Sequence, residues 1–335
     1  MRKYFVVVLL VLAGLFSWAA APVPEHTQQG FAMNTLIRMT VNSNDENLLN
    51  RAFELLNRLD NELSMYNPSS DLAAVNALAG KEKYFAPSEV IEAVRGAARV
   101  HDITEGVFNP LIGAVTRLWK INQNDGTVPT HEELQAALSL TGIENLEVTD
   151  KYIFLKREGS VLDLGGLAKG YASDRLAQFF RDNGVKSGLI DLGGNVYVVG
   201  TKQDGSNWRI GIRDPLNPRG RPALVANVHD TAVITSGNYE RFKVIDGKRY
   251  SHFFDPKTGE SVNSDLLSVT IITPDGALAD GLATAFMITD MDTSKRILQG
   301  LPDVGAVFIT QYGISATKNL EGTITGMENQ NISFF

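Results

Sequence analysis

The sequence predicts an α+β protein in which mixed β-sheets are interspersed with helices. Three observations lead to this fold class. Hydrophobic residues make up 44% of the 335 residues, which is enough for a substantial core. Apolar residues recur with helical spacing in the first half of the chain. From Tyr152 onward, short apolar runs alternate with glycine-containing turns, and two helical segments interrupt them.

Net charge and cysteine content exclude several classes of protein. The chain carries 38 acidic and 31 basic residues, a formal net charge of −7. A duplex-binding protein needs a basic face, so nucleic acid is not an expected partner. With Cys 0 there are no disulfides, thiolate metal sites or cysteine nucleophiles. Any metal must be held by oxygen or imidazole.

The N-terminus predicts a secretory signal. Arg2 and Lys3 precede an apolar run from Tyr4 to Trp18, and small residues follow it. We expect residues 1–19 to be the signal, with cleavage after Ala19, and residues 20–335 to form one exported domain. The alternative is an uncleaved anchor helix, because the apolar run is almost long enough to span a bilayer.

The first half of the body predicts one strand and three helices. Thr35–Val41 is typical of a strand, and the helix that opens at Asn44-Asp45 has apolar positions at three-to-four spacing until about Ser64. A second helix runs from Pro87-Ser88 to about His101. Thr130 to Glu133 forms a capping-box pattern before a third helix that ends near Leu140.

The second half predicts short strands and two helices. The helices span about Ala168–Asn183 and about Leu278–Ile288. The predicted strands centre on Ile153–Leu155, Val161–Leu162, Leu189–Ile190, Val196–Val199, Ala232–Ile234 and Val269–Ile272.

The first segment that could carry chemistry is Val161–Tyr171. A predicted strand runs into Gly165-Gly166, and a helix follows at once. Glycines let a ligand approach the backbone, and free amides at a helix start attract phosphate, with Lys169 as a further charge. The spacing matches neither the dinucleotide fingerprint nor the Walker loop. The alternative is an ordinary turn with a surface lysine.

The second segment is Ala279–Ala285. Asp280 and Thr284 are four residues apart, so they share one face of the predicted helix. A carboxylate and a hydroxyl are hard oxygen ligands that suit Mg²⁺. Alternatively, Asp280 only interacts with the helix dipole and Thr284 only packs.

The third region joins Thr235–Arg241 to Arg249–Gly259. His252 could act as a general base or donate a hydrogen bond to a phosphate, although a lone histidine is more often structural. Ser236 with His252 does not indicate a serine hydrolase, because the Gly-x-Ser-x-Gly elbow is absent.

Taken in chain order with Met33-Asn34-Thr35, these segments resemble the ApbE family of FAD:protein FMN transferases, also called flavin transferases. The resemblance covers nearly all of the chain after the signal. It implies an ApbE-like fold and Mg²⁺-dependent transfer of FMN from FAD to a Thr or Ser hydroxyl of an exported protein, with release of AMP. It also implies that the protein works in the periplasm, on the outer face of the bacterial inner membrane.

The resemblance assigns roles to individual residues. His252 is expected to be the catalytic base. The residues expected to bind FAD are Met33, Tyr66, Val107, Phe108, Asn109, Asp163, Lys169 and Phe254. The residues expected to bind the metal are Gly166 and Ala283, through their carbonyls, with Asp280 and Thr284. Two departures from the family pattern are Asn34 in place of glycine and the missing lipoprotein cysteine, which puts tethering in doubt.

Three activities remain open to the sequence. The first is FMN transfer to an acceptor such as a respiratory or electron-transfer subunit. In the second, water replaces the acceptor hydroxyl, and the protein is an FAD pyrophosphatase that releases FMN and AMP. The third is a non-enzymatic FAD-binding protein of the periplasm.

Overall fold

The structure is a computed structural model that describes residues 22–121, 127–217, 219–327 and 330–335. The predicted signal, residues 1–19, lies outside these ranges, so the signal and the domain boundary after it stay predictions. Within the described ranges, no helix has the length and apolar character needed to cross a bilayer.

The helices follow the apolar spacing of the sequence. In the longest of them, the buried side chains Leu48, Ala52, Leu56, Leu59 and Leu63 recur every three or four residues. The α-helices of the described chain are α1 (Leu48–Leu63), α2 (Asp71–Ala77), α3 (Ser88–Ile103), α4 (Gly113–Trp119), α5 (His131–Leu138), α6 (Ala168–Asp182), α7 (Gly276–Ile288) and α8 (Met291–Gln299).

The strands are short and concentrated in the second half of the chain. They are β1 (Glu25–Ala32), β2 (Thr35–Asn42), β3 (Leu146–Val148), β4 (Ile153–Leu155), β5 (Ser187–Leu192), β6 (Asn195–Gly200), β7 (Trp208–Ile212), β8 (Leu224–Val228), β9 (Thr231–Gly237), β10 (Phe242–Ile245), β11 (Lys248–Ser251), β12 (Leu266–Thr273), β13 (Gly305–Thr310), β14 (Gly313–Ala316), β15 (Ile324–Gly326) and β16 (Ile332–Phe334).

A nine-stranded sheet in the order β1-β2-β5-β6-β9-β12-β13-β14-β16 organises the fold. Its neighbours pair antiparallel except β14 and β16, which are parallel, so the predicted mixed sheet is confirmed. Alternate residues of one strand face opposite sides. Ala232 and Ile234 belong to the core beneath the helices, whereas Val233 packs with the small sheet β15-β8-β7 on the other face.

Most sequence-predicted elements are confirmed, including β2, α1, α3, α6 and α7, as is the capping box at Thr130. The strand predicted at Val161–Leu162 is wrong: Val161 forms only an isolated bridge with Ile112. Pairing there is limited to single contacts such as Asp163 N to the Pro110 carbonyl, so no ladder forms. Strand β1 was missed because its residues are largely polar, as suits an edge strand with most side chains accessible.

One end of the large sheet gathers several turns. Strands β2 and β5 pair antiparallel, so the Met33–Asn34 turn that precedes β2 lies beside the Gly193–Gly194 turn that follows β5. A side chain at Gly193 would overlap Thr35 Oγ1 and lie 2.7 Å from Thr35 Cγ2, so the two turns are in direct contact. The end of β9, the start of α6 and the part of α7 from Asp280 to Ile288 complete this region.

Candidate active site

A cleft of about 670 Å³ opens at this end of the sheet. Its volume lies within the range of small-molecule and cofactor sites. The residues predicted to bind ligand or metal that line it are Tyr66, Val107, Phe108, Asn109, Asp163, Gly166, Lys169, His252, Phe254, Asp280 and Thr284. The tertiary structure therefore brings together residues from segments that lie far apart in the sequence.

Two predicted residues do not line the cleft. Met33 is half-buried against the core, although its neighbours Asn34 and Thr35 reach the cleft wall. Ala283 is completely buried within α7. Neither role is contradicted, since a backbone contact needs no exposed side chain, and both stay predictions.

The Met33–Asn34 turn explains the departure from the family's glycine. Both residues have positive φ, 49° and 60°, which is the conformation of a two-residue hairpin turn of type I′. Asn tolerates this left-handed region better than most residues, so Asn34 can replace glycine there. Met33 tolerates it less well, and its backbone N–H is held by Asp60 Oδ2 at 2.7 Å.

Asp280 is the buried carboxylate of the site, with only 2% of its surface exposed. Its Oδ2 accepts a hydrogen bond from Gly170 N at 2.9 Å, and its Oδ1 accepts one from Asn195 Nδ2 at 3.0 Å. The Lys169 ammonium lies 3.9 Å from Oδ1. A buried carboxylate needs such partners, so this network fixes the position of Asp280.

Thr284 lies one turn after Asp280, beside the glycine segment. Its hydroxyl donates to the Gly166 carbonyl at 3.2 Å. A Cβ added to Gly166 would lie 3.0 Å from Thr284 Cγ2 and 3.1 Å from Phe108 Cε2, so a larger residue there would have to displace these side chains by a few tenths of an ångström. An Asp carboxylate, a Thr hydroxyl and a backbone carbonyl thus converge on the cleft.

Helices α6 and α7 cross at a contact between two glycines. A Cβ on Gly170 would overlap the Gly276 carbonyl oxygen and lie 2.7 Å from Asp280 Cβ. Asp174 strengthens the crossing, because its Oδ1 accepts from Gly276 N at 2.7 Å and its Oδ2 from Ala277 N at 2.8 Å. The helix that carries Asp280 and Thr284 is therefore fixed at its first turn.

Asp174 also has a strongly raised pKa. Burial raises its pKa to about 7, although the two amide hydrogen bonds favour the charged form. The net value includes two smaller effects of nearby charges: that of Asp275 adds to the rise and that of Arg181 opposes it. No sequence signal singled out Asp174, because its partners come from a helix about a hundred residues away.

His252 is half-buried on the cleft wall, and its tautomer follows from its hydrogen bond. Its Nδ1 lies 3.0 Å from the Arg241 carbonyl oxygen, which can only accept, so Nδ1 carries the proton. Nε2 is then left with its lone pair. Desolvation, with the charges of Arg241 and Lys169, lowers the pKa of His252 to about 4, although the hydrogen bond to the Arg241 carbonyl opposes the shift. Histidine 252 is therefore neutral at neutral pH and able to accept a proton. It is the only one of the five histidines that lines the cleft.

At the start of α6, where the sequence predicts an anion site, several of the amides already have partners. The backbone N–H of Gly165 donates to Asp163 Oδ1, and that of Gly170 donates to Asp280 Oδ2. The N–H groups of Leu167 and Ala168 both donate to the Leu164 carbonyl. Positive charge is supplied instead by cationic side chains on the cleft wall. Besides Lys169, these are Arg117, Lys120, Arg213 and Arg241.

Sequence reasoning missed those four cations and also Glu240. Glu240 lines the cleft, and desolvation raises its pKa, with the charge of Lys169 opposing the shift and that of Asp280 adding to it. The only available signal was the position of Glu240 and Arg241 inside the motif after β9. Arg117, Lys120 and Arg213 lie outside every segment that the motifs marked.

Asn109 and Phe254 line the cleft with side chains that also have structural partners. The Asn109 amide donates to the Thr141 carbonyl at 3.0 Å, and its oxygen accepts from Leu111 N at 2.9 Å. Phe254 is buried and stacks on Trp119, with ring centroids 5.6 Å apart. Contacts from these two residues to a ligand would therefore come mainly from backbone atoms and ring edges.

The acids and histidines of the described ranges nowhere form a cluster of three that could hold a metal ion. An ion in the cleft would depend on one carboxylate, that of Asp280, together with the Thr284 hydroxyl and the Gly166 carbonyl. Such a mixed oxygen set is typical of Mg²⁺ sites that also bind substrate phosphates.

Comparison with known proteins agrees with this geometry. Residues 33–308 match the model of the ApbE family. A protein of Treponema pallidum named FAD:protein FMN transferase is 33% identical over 90% of both chains, and a Klebsiella pneumoniae protein of that name is 31% identical over 83% of this chain and 87% of its own.

Solved structures of ApbE proteins have the same fold as this chain. The flavin transferase ApbE of Vibrio cholerae superimposes with a TM-score of 0.81 at 26% identity, covering 90% of this chain and all of that one. The ApbE protein of Thermotoga maritima has a TM-score of 0.81 at 28% identity, covering 90% and 99%. The two curated relatives and the Vibrio cholerae structure are named as transferases, and the family model matches most of the sequence: the chain belongs to the ApbE family.

Proposed function

We propose that this protein is an FAD:protein FMN transferase, which moves FMN from FAD to a Thr or Ser hydroxyl of an acceptor protein and releases AMP. The observation that carries the proposal is the convergence, in one cleft, of the oxygen set formed by Asp280, Thr284 and the Gly166 carbonyl with a neutral histidine whose Nε2 is unprotonated. The names of the relatives support the same activity.

The cleft suits the two halves of FAD. Aromatic and aliphatic side chains such as Tyr66, Phe108 and Ile112 line it, and flat rings pack well on such surfaces. Among the residues that the structure describes, five cationic and three acidic side chains line the same cleft, namely Arg117, Lys120, Lys169, Arg213 and Arg241 against Asp163, Glu240 and Asp280. This local excess of positive charge, in a protein whose net charge is −7, favours a diphosphate.

The oxygen set fits Mg²⁺. The Thr284 hydroxyl and the Gly166 carbonyl oxygen are 3.2 Å apart, close to the separation of about 2.9 Å between adjacent oxygens of an octahedral Mg²⁺ site. Asp280 would supply the negative charge. When bound, the ion would offset charge on the diphosphate oxygens. Lys169, beside Asp280, would contact a phosphate on the same side.

His252 acts as the base in this proposal. The acceptor hydroxyl attacks the FMN phosphorus, its proton passes to Nε2 of His252, and the bond between that phosphorus and the bridging oxygen breaks to leave AMP. The hydrogen bond from Nδ1 to the Arg241 carbonyl orients the ring and stabilises the imidazolium that forms. The negative charge of a bound diphosphate would raise the pKa of His252 above about 4, which would make it a better base.

We also propose that the acceptor is an exported protein, such as a respiratory or electron-transfer subunit, and that the enzyme works in the periplasm. The basic and apolar residues at the N-terminus support this location. Fractionation of cells that express the full chain tests it, because a cytoplasmic protein of unchanged mass would contradict the proposal.

The test of function is an incubation of residues 20–335 with FAD, Mg²⁺ and a threonine-containing acceptor. We expect the acceptor to gain the mass of FMN while AMP appears in equal amount. Free FMN and AMP, released at a rate that the acceptor does not change, would instead identify a pyrophosphatase. FAD that stays bound and intact would identify a binding protein.

A further inference from the structure

Two large apolar side chains are exposed together on the β1–β2 hairpin. Phe31 and Leu36 are directly opposite each other in the antiparallel register, and 70% and 62% of their surfaces are exposed. Their neighbours Ala32 and Ile37 point to the other face and are buried. Side chains in register on one face are in contact, so the pair forms one apolar patch, called here the hairpin patch.

The hairpin patch lies at the rim of the cleft. Only the pair Ala32 and Thr35 and the Met33–Asn34 turn separate its two residues along the chain, and Asn34 and Thr35 line the cleft. The turn is tied to α1 through Met33 N and Asp60 Oδ2, and Tyr66, another exposed ring of the cleft wall, lies three residues beyond the end of α1. A molecule that enters the cleft over this rim therefore passes the patch.

We propose that the hairpin patch is the docking surface for the acceptor protein, and that it binds an apolar side chain beside the hydroxyl residue that receives FMN. This inference rests on the proposed function. A protein acceptor is too large to enter the cleft, so its reactive segment must cross the rim, where an apolar contact holds it in place. Neither side chain packs into a hydrophobic cluster of the described residues, so a partner can bury both.

The size of the patch fits a transient partner. At the exposures above, the two side chains present roughly 250 Å² of surface, using about 200 Å² for a whole aromatic side chain. A stable dimer buries about 800 Å² on each partner, several times more. A small apolar contact is what an acceptor requires, because it must leave after one transfer.

The test is the double variant Phe31→Ser/Leu36→Ser. With a folded protein acceptor, we expect the KM for the acceptor to rise about tenfold or more, with kcat nearly unchanged. The Kd for FAD, measured by quenching of flavin fluorescence, and the slow transfer to a short threonine peptide without apolar neighbours should both stay as in wild type. An unchanged acceptor KM overturns the proposal.

Tyr312→Ser is the matched control. Tyr312 is 79% exposed in the β13–β14 turn of the same sheet, several strands from β2, and we expect wild-type kinetics. An equal rise in acceptor KM for Tyr312→Ser would also overturn the proposal, as would a change from dimer to monomer in the double variant on sedimentation. If wild type transfers FMN to no acceptor, the proposed function fails instead, and the two failures are distinguished.

Discussion

The glycine crossing of α6 and α7 gives the sharpest prediction, which concerns Gly170→Ala. Alanine is normally the better helix residue, so propensity alone predicts a gain in stability of about 0.5–1 kcal/mol. The structure predicts the opposite. The new methyl group would overlap the Gly276 carbonyl oxygen and lie 2.7 Å from Asp280 Cβ, where ordinary contact begins at 3.4 Å.

The size of the effect follows from that distance. Both obstacles belong to α7 and neither is the end of a flexible side chain, so the helices must separate by roughly 0.7 Å or more. Overpacking of this kind costs about 1–3 kcal/mol of unfolding free energy. Gly170 N also donates to Asp280, so the separation displaces the carboxylate. A misplacement near 1 Å lowers rates by about 100-fold, which we expect in kcat/KM for FMN transfer.

The assay is acceptor flavinylation read by mass, with urea unfolding alongside. Gly96→Ala is the matched control, because Gly96 lies within α3 and a new Cβ there would meet no atom within 4 Å beyond its chain neighbours and the adjacent backbone of its own helix. The control should keep its rate and gain about 0.5–1 kcal/mol. If Gly170→Ala behaved like Gly96→Ala in both measurements, the argument that this contact positions Asp280 would be refuted.

Three further predictions concern side chains of the same region. Asp280→Ala should abolish Mg²⁺-dependent turnover and lower the unfolding temperature, because Gly170 N and Asn195 Nδ2 lose their acceptor. His252→Ala should lower the rate strongly while FAD still binds. In the wild type, kcat/KM should stay level from about pH 8 to about pH 5 and decrease at lower pH, because the pKa of His252 is about 4. Asp174→Asn should remove a component of the pH dependence of stability, followed by urea unfolding at several pH values.

The sign for Asp174 follows from its two pKa values. Between the ordinary pKa of 3.8 and the folded value of about 7, the unfolded chain is ionised while the folded one holds the proton. The folded state therefore loses stability as pH rises, by up to about 1.4 kcal/mol per pH unit, and the loss is complete above about pH 7. The difference in unfolding free energy between wild type and Asp174→Asn should show this slope when it is plotted against pH. Identical pH profiles of the two proteins would contradict the prediction.

The remaining two predictions have equally direct contradictions. Normal Mg²⁺-dependent activity in Asp280→Ala would show that the metal site is elsewhere. Thr284→Val provides a milder control, since it removes one oxygen and leaves the Asp280 network in place. We expect a higher Kd for Mg²⁺ by calorimetry and a higher Mg²⁺ concentration at half-maximal rate. Loss of FAD binding in His252→Ala, without a separate effect on rate, would indicate a structural role.

Local patterns were sufficient for five of the eight α-helices in the described part of the chain and for the central strands, whereas the short helices α2, α4 and α8 were missed. Helix α1 could be predicted because its buried positions follow helical spacing, and the start of α5 because Thr130 and Glu133 form a capping box. The edge strand β1 was missed, since polar residues on an exposed edge leave no apolar run. The apolar pair Val161–Leu162 predicts a strand but lies in a buried loop, because an apolar run marks burial and does not by itself distinguish strand from loop.

The chemistry divides in the same way. The sequence alone determined that Asp280 and Thr284 share a helix face, that a glycine pair precedes α6, and that no thiol chemistry is available, because these depend only on residue type and spacing. Only the tertiary structure decided that Gly170 N belongs to Asp280, that Asp174 holds the first turn of α7, and that Arg117, Lys120 and Arg213 face the same cleft. These are contacts between residues distant in the chain, and the packing of helices on a sheet, rather than local propensity, brings them together.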